Sequence, residues 1–291
     1  MTARVSRDSL VWHSKRIIIK LEAMTNLPLD DLVFVGGAPR TGTTILHALI
    51  CTSPNTNNYV AECGYLTNML MPYFLGLEGW EIHTKHFFGS HEEFFRYHAA
   101  IVSDVVSKIH DQLGRPARLK LKDPIMTRFF HHVAQMLPQA RFVVIFRDPR
   151  DTIISRLNVT RRLQNGREPS REDIKSACYE YNISYNGIIA HPRILNHRMM
   201  VVDYNDITED KWIPSLENFG IYGIDPAKVW SSDNTQIKDY RTDPWSTDLY
   251  GASPSSRSVN RYKSDLDQKI ADYIMEQCGW VGQAFGFQNK A

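Results

Sequence analysis

The chain has 291 residues, enough for one large α/β domain or two smaller ones. Charged residues make up 23% of it and the formal net charge is +2, so no strong overall field favours nucleic acid or an anionic membrane surface. No apolar run approaches the ~20 residues of a membrane span. We therefore predict neither a nucleic-acid nor a membrane partner, and any anion site must arise from local clusters.

Residues 1–30 are predicted to form a helical N-terminal extension, with an amphipathic helix from Leu10 to Met24. The apolar stretch Ile17–Ile19 is interrupted at Lys20, so it is too short for the core of a signal peptide. The cysteines show neither disulfide nor metal-ligand spacing. They are Cys51, Cys63, Cys178 and Cys278. These features predict a cytoplasmic protein with reduced thiols.

The most distinctive local pattern leads from an apolar strand into a helix. Leu32–Val35 stops at two glycines, and hydroxyl residues then precede the helical pattern that starts at Ile45. A loop of this kind directs backbone N–H groups and the positive end of a helix dipole at one point, which suits a phosphate or a sulfate. Arg40 adds a positive charge with a planar fork of donors. We call residues 37–44 the anion loop.

The anion loop differs from the loop of ordinary ATP-binding proteins. The spacing from Gly37 to Gly42 agrees with Gly-x-x-x-x-Gly-Lys-[Ser/Thr], but Thr43 occupies the lysine position. That lysine reaches the β- and γ-phosphates of ATP. The loop is therefore predicted to bind an anion without ordinary ATP hydrolysis. A nucleotide kinase of the same broad architecture is the alternative.

Further along the chain, strand-like runs alternate with helical patterns. The runs are Leu32–Val35, Leu119–Leu121, Phe142–Phe146 and Met199–Val202. Capping sequences predict helix starts at Ser90–Glu93, Ser170–Asp173 and Ser264–Asp267. The alternation predicts a single α/β domain, with a central parallel sheet flanked by helices and a P-loop-like nucleotide-binding core. Ligands bind at the carboxyl ends of such strands, where the anion loop, Lys122 and Arg147 are expected.

A second basic cluster follows the third apolar run. The run ends in Arg147, a helix begins near Pro149, and Ser155 lies eight positions after Arg147. That distance is about two turns of a helix with 3.6 residues per turn. In this arrangement Arg147 can hold a phosphate while the hydroxyl of Ser155 donates a hydrogen bond to it.

Together the two clusters resemble the sulfotransferases that use 3′-phosphoadenosine 5′-phosphosulfate (PAPS). In that family a Pro-[Lys/Arg]-[Ser/Thr]-Gly-Thr-Thr loop holds the 5′-phosphosulfate, and a later Arg-[Asn/Asp]-Pro-Arg-Asp with a serine holds the 3′-phosphate. Pro39–Thr44 is similar to the first pattern, and Arg147–Asp151 with Ser155 to the second. The resemblance runs from about residue 31 to residue 265.

Three further similarities extend the resemblance. Leu119–Pro124 is similar to a Lys-[Asp/Ser]-Pro segment, Val201–Ile207 to a strand whose tyrosine lies near the adenine, and Ser256–Lys263 to a C-terminal loop that closes over the nucleotide. In that loop Asn260 replaces a glycine and Tyr262 a tryptophan, which leaves its closing role open. The resemblance implies that the donor is held by Arg40, Thr41, Gly42, Thr43, Thr44, Arg147, Ser155, Tyr204, Ser258 and Arg261.

Arginine rather than lysine in the anion loop indicates one branch of the family. The tyrosylprotein and many bacterial sulfotransferases carry Arg there and a Glu shortly afterwards. Glu62 follows Arg40 by 22 residues, where the next strand is expected to end. The branch implies Glu62 as general base, with Arg40 and Lys122 as catalytic cations. The alternatives are a structural carboxylate at Glu62, and a pairing of Lys122 with Asp123 or Asp148.

The implied reaction moves a sulfuryl group from PAPS to a hydroxyl or amine of a small molecule, without a metal. The implied protein is one sulfotransferase domain over residues 1–291, with residues 65–115 as a variable helical region on the acceptor side. A protein tyrosine or carbohydrate acceptor, or a non-catalytic binding module, stays open. His47 is predicted to pack in the helix after the anion loop. Irregular spacing predicts surface or pocket positions, not zinc binding, for His83, His86, His91, His98, His131 and His132.

Overall fold

A computed structural model describes residues 31–209, 211–231, 244–245 and 249–287 of the chain. The apolar runs form strands β1 (Asp31–Gly36), β2 (Arg118–Lys122), β3 (Ala140–Phe146) and β4 (Met199–Asp203). All pairings between these strands are parallel, in the spatial order β2-β1-β3-β4. The predicted parallel α/β sheet is confirmed, whereas the predicted N-terminal extension lies outside the described residues.

Helices cover both faces of the sheet. They are α1 (Thr43–Ile50), α2 (Gly64–Glu78), α3 (His91–Gln112), α4 (Phe130–Met136), α5 (Pro149–Leu163), α6 (Arg171–Ala190), α7 (Pro192–Leu195), α8 (Tyr204–Ile207), α9 (Ile213–Asn218), α10 (Tyr262–Asp265) and α11 (Gln268–Ala284). Within the described parts of the chain, no helix is both long and apolar enough to cross a membrane. All four cysteines are free thiols.

Strand β1 shows how the sheet separates two layers of core. Phe34 belongs to one layer, where its ring stacks on that of Phe142 with 6.0 Å between centroids. Val33 and Val35 belong to the other layer, together with Leu46 of α1. Successive side chains of a strand point to opposite faces, so a run that is apolar at every position is buried on both sides. Because β1 lies between β2 and β3, the anion loop that follows it lies near the middle of the sheet's carboxyl edge.

Two of the three predicted helix starts are confirmed. The hydroxyl of Ser90 accepts the Glu93 N–H at the start of α3, and Ser170 forms a reciprocal capping box with its partner three residues on at the start of α6. The predicted start at Ser264 is wrong. Asp267 caps α11 by accepting the Lys269 N–H, because an aspartate N-cap needs no acidic partner three residues later.

Candidate active site

The anion loop takes its shape from left-handed backbone at three positions. The φ angle is +147° at Gly37, +76° at Arg40 and +101° at Gly42. A Cβ at Gly42 would lie 2.7 Å from ring carbons of Tyr204, so glycine permits this close approach. Helix α1 begins at Thr43 without a side-chain cap. Its first-turn N–H groups are therefore available to an anion.

Side chains from distant parts of the chain hold the anion loop in place. The hydroxyl of Tyr185 accepts the Ala38 N–H at 3.1 Å and donates to the Ile145 carbonyl at 2.8 Å. The hydroxyl of Thr127 accepts the Gly37 N–H at 2.7 Å. Tyr185 is fully buried, and burial raises the pKa of its hydroxyl. Sequence reasoning missed both supports, since neither lies in a local motif.

Arg147 follows β3 and connects three parts of the site. Its Nη1 donates to the backbone oxygen of Arg40 at 2.9 Å, and its Nη2 to that of Ser258 at 2.5 Å. The guanidinium carbon lies 4.6 Å from the ring centroid of Tyr204. Burial lowers the pKa of Arg147, and its buried Nε has no hydrogen-bond partner among the described residues. A buried cation with an unused donor suits a phosphate.

Arg40 and Ser155 bring the two predicted anion sites together. The Nε of Arg40 donates to the Ser155 hydroxyl at 3.3 Å, and its Nη1 donates to the backbone oxygen of Trp245. Burial, followed by the charge of Arg162, lowers the pKa of Arg40 to about 10. The guanidinium therefore stays protonated at neutral pH, and the residues predicted for the 5′ and 3′ groups are neighbours in space.

Lys122 links the anion loop to the predicted base. Its Nζ donates to the Thr44 hydroxyl at 3.1 Å and to Oε1 of Glu62 at 2.9 Å. The side chain of Lys122 is 2% exposed and that of Glu62 is 50% exposed. The ion-pair partner of Lys122 is thus Glu62, not Asp123 or Asp148. Half of the Glu62 side chain is exposed, so a molecule bound there could approach its carboxylate, as a general base requires.

The expectation that a strand ends at Glu62 is wrong. Residues 60–63 have no regular secondary structure and lead directly into α2. The Cys63 N–H donates to the Lys122 carbonyl at 2.9 Å, and Thr56 forms an isolated parallel bridge with Arg118. The segment therefore follows the edge of β2 through separate contacts, because no continuous ladder forms between them.

Asp151 attaches the C-terminal loop, residues 256–263, to α5. Its carboxylate accepts the N–H groups of Asn260 at 2.7 Å and Tyr262 at 3.0 Å. Asn260 has a φ of +60°, a left-handed conformation that asparagine tolerates better than most residues, so it can replace a glycine here. The guanidinium of Arg150 lies 3.8 Å from the ring centroid of Tyr262. This anchoring role of Asp151 was missed, although the residue lies within a predicted motif.

The remaining residues that are predicted to bind PAPS lie in different environments. Ser258 is buried and contributes its backbone oxygen to Arg147, whereas the half-exposed Arg261 pairs with Asp265 at 2.8 Å. The buried Thr41 donates its hydroxyl to the Ala38 carbonyl, which stabilises the loop.

Beside the anion loop, Tyr204 lines a cavity of about 50 Å³ together with Ile45 and Ile207. Tyr65 in the first turn of α2 is 70% exposed, and Ile125 after β2 is 48% exposed.

The histidines occupy several environments. His47 is fully buried, as predicted, with Nε2 at 3.0 Å from the Lys120 carbonyl oxygen. The prediction of a surface or pocket position is wrong for His98, which is 6% exposed and has Nδ1 at 3.0 Å from the Phe94 carbonyl oxygen. Within the described ranges, no three His, Cys, Asp or Glu side chains are grouped so as to hold a metal ion.

Comparison with known proteins identifies a family. A model described as Sulfotransferase family matches residues 32–213, more than half of the chain. The matched region contains the anion loop, Glu62, Lys122, Arg147 and Tyr204.

Individual relatives match a smaller part of the chain. The protein-tyrosine sulfotransferase of Drosophila melanogaster is 31% identical over 134 residues, which are 43% of this chain and 24% of that protein. Protein-tyrosine sulfotransferase 2 of Gallus gallus is 26% identical over 196 residues, 58% of this chain and 50% of that protein. This chain thus spans half or less of the length of these curated relatives.

A solved structure extends the comparison to the fold. The sulfotransferase domain from the curacin biosynthetic pathway superimposes with a TM-score of 0.57 at 12% identity, covering 86% of this chain and 97% of that chain. At 12% sequence identity, this superposition shows a shared fold alone.

Proposed function

We propose that this chain, which belongs to the sulfotransferase family, transfers a sulfuryl group from PAPS to an acceptor hydroxyl or amine. The observation that carries the proposal is the contact between two cationic sites. Arg40 is hydrogen-bonded to Ser155, and Arg147 to the backbone of Arg40. PAPS carries anionic groups on both the 5′ and the 3′ position, so its recognition requires two such neighbouring sites.

The proposed donor contacts follow from the chemistry of each group. The first-turn amides of α1 and the guanidinium of Arg40 would bind the 5′-phosphosulfate. Arg147 and Ser155 would bind the 3′-phosphate. The buried Nε of Arg147 is an unused donor, and the Ser155 hydroxyl, which accepts from Arg40, keeps its own hydrogen to donate. Tyr204 would contact the adenine, because its ring lies beside Gly42 of the anion loop.

In the proposed reaction the acceptor oxygen or nitrogen attacks the sulfur, and the bond from sulfur to the bridging oxygen of the 5′-phosphate breaks. Glu62 accepts the proton of the acceptor as the new bond to sulfur forms. Arg40 and Lys122 offset the negative charge that develops on the leaving phosphate. The products are the sulfated acceptor and 3′-phosphoadenosine 5′-phosphate (PAP). No step requires covalent attachment to the protein, so catalysis rests on positioning and charge.

The proposed acceptor is a small molecule with a hydroxyl or amine group. The second candidate is a tyrosine of a protein, and the names of the relatives from Drosophila melanogaster and Gallus gallus favour it. Both candidates use the exposed half of Glu62 in the same way, so the chemistry of transfer does not discriminate between them.

The experiment incubates the protein with PAPS carrying a radioactive sulfuryl group. One set of reactions contains phenols, alcohols and amines of low mass, and another contains tyrosine peptides. Label in the first set supports a small-molecule acceptor, and label in peptides alone supports the tyrosine alternative. Binding of PAP without any transfer of label would contradict the enzymatic proposal. Transfer of the terminal phosphate of ATP would support the kinase alternative.

A further inference from the structure

Asp123 is a buried carboxylate beside the active-site lysine. It is 3% exposed, and its neighbour Lys122 pairs with Glu62 instead. Burial raises the pKa of Asp123, since a carboxylate out of water is costly unless hydrogen bonds compensate. Its Oδ2 accepts the Thr67 hydroxyl at 2.5 Å, and its Oδ1 accepts the Ile125 N–H at 2.9 Å.

The contact with Thr67 joins the carboxyl end of β2 to the start of α2. Helix α2 begins at Gly64 with neither a side-chain cap nor an acidic residue in its first turn. A Cβ at Gly64 would lie 3.8 Å from Oδ2 of Asp123. The carboxylate thus supplies, from another element, the negative charge that a helix N-terminus favours. Removal of the Thr67 hydroxyl would weaken this junction without changing any charge.

The backbone next to Glu62 belongs to the same junction. The Cys63 N–H donates to the Lys122 carbonyl at 2.9 Å, and the Thr67 N–H donates to the Cys63 carbonyl at 3.2 Å. Besides the Glu62–Lys122 ion pair, segment 62–67 is therefore attached to Lys122 and Asp123 at two further points, one through the backbone and one through side chains. Both attachments lie within five residues of Glu62, so they restrict where its backbone can lie.

We propose that Asp123 and Thr67 are positioning residues, whose hydrogen bond holds Glu62 where it accepts the proton of the acceptor. The inference rests on the proposed function, because that function makes Glu62 the base. A base displaced by about 1 Å can lose on the order of 10²-fold in rate. The proposed donor contacts come from other residues, so the affinity for PAP should not depend on this hydrogen bond.

The test is a matched pair of substitutions at Thr67. Thr67→Val keeps the shape of the side chain and removes the hydroxyl, whereas Thr67→Ser keeps the hydroxyl. At saturating PAPS, single-turnover transfer in Thr67→Val should fall about 10–100-fold. The Thr67→Ser rate should stay close to that of the wild type, and PAP affinity should be the same in all three proteins. Equal rates in the two variants, corrected for the folded fraction, would overturn the proposal.

Hydrogen–deuterium exchange provides a readout that needs no turnover. The amide of Cys63 should exchange faster in Thr67→Val than in the wild type, while Thr67→Ser should retain the wild-type protection. Unchanged protection in Thr67→Val would overturn the positioning role. Absence of sulfuryl transfer by the wild-type protein would instead contradict the proposed function, so the two failures are distinguishable.

Discussion

The Nη1 of Arg147 donates a 2.9 Å hydrogen bond to the backbone oxygen of Arg40. This bond joins the loops that follow β1 and β3, which are neighbours in the sheet. Arg40 has a φ of +76°, a left-handed conformation that costs about 1–2 kcal/mol for most residues. The hydrogen bond from a buried guanidinium helps to offset that cost and fixes the two loops relative to each other.

The first prediction concerns Arg147. Arg147→Ala should weaken PAP binding by about 2–4 kcal/mol, because it removes a charge-assisted contact with a phosphate. Isothermal titration calorimetry with PAP measures the effect. The control is Arg115→Ala, which removes an arginine whose side chain is 73% exposed and should bind PAP as the wild type does. An unchanged dissociation constant in Arg147→Ala would refute the 3′-phosphate assignment.

The second prediction concerns Glu62. Glu62→Gln should reduce the single-turnover rate by about 10²–10⁴-fold, the range for loss of a general base, with PAP binding nearly intact. Glutamine keeps the shape of the side chain but cannot take up a proton at neutral pH. The matched control is Glu81→Gln, since the Glu81 side chain is 78% exposed and pairs with Lys85. Rates near those of the wild type in Glu62→Gln would reject this base.

The third prediction concerns stability at acidic pH. Burial lowers the pKa of His47 to about 3, whereas an unperturbed histidine has a pKa of about 6.5. As the pH falls, the unfolded chain takes up this proton before the folded protein does, so acid favours unfolding. For each unit that the pH decreases between these two pKa values, protonation of His47 in the unfolded chain should lower the free energy of unfolding by about 1.4 kcal/mol.

Urea unfolding at pH 7 and pH 5 measures this effect. The wild type and His47→Gln are compared at both pH values, and the variant should lose less stability between them. The comparison uses the difference between the pH values, so a uniform loss of stability in the variant does not affect it. The same pH dependence in both proteins would contradict the assignment.

The fourth prediction concerns the C-terminal loop. Asn260 has a left-handed φ of +60°, so Asn260→Ala should destabilise the protein by about 1–2 kcal/mol. Asn260→Gly should have a much smaller effect, because glycine adopts this conformation readily. Thermal melts of both variants provide the test. A higher melting temperature for Asn260→Ala than for Asn260→Gly would contradict this conformation of the loop.

Local sequence patterns were sufficient to predict the sheet and the cationic residues at the carboxyl ends of its strands. Strand β3 is apolar at successive positions because both of its faces are buried, and its run ends immediately before Arg147. The glycine spacing of the anion loop follows from its left-handed backbone. These properties depend on residues that are close together in the chain, so they can be predicted from the sequence.

Contacts between distant residues could not be predicted in the same way. The Tyr185 hydroxyl meets the Ala38 N–H across 147 positions of the chain, and no local pattern distinguishes this tyrosine from an ordinary core residue. The path of the chain at Glu62 depends on the backbone hydrogen bond from Cys63 to Lys122. A pattern of apolar residues cannot predict this bond. Tertiary contacts therefore determine both the loop support and the position of the base.

Calorimetry on the wild-type protein, with PAP and with adenosine 5′-phosphate, tests the proposed 3′-phosphate site most directly. We propose that Arg147 and Ser155 form a separate site for a 3′-phosphate beside the anion loop. Hydrogen bonds to charged groups contribute about 1.5–3 kcal/mol each, so PAP should bind more than about tenfold more tightly than the nucleotide without a 3′-phosphate. Ser155→Ala should reduce this difference. Equal dissociation constants for the two nucleotides would show that the protein has no separate site for a 3′-phosphate.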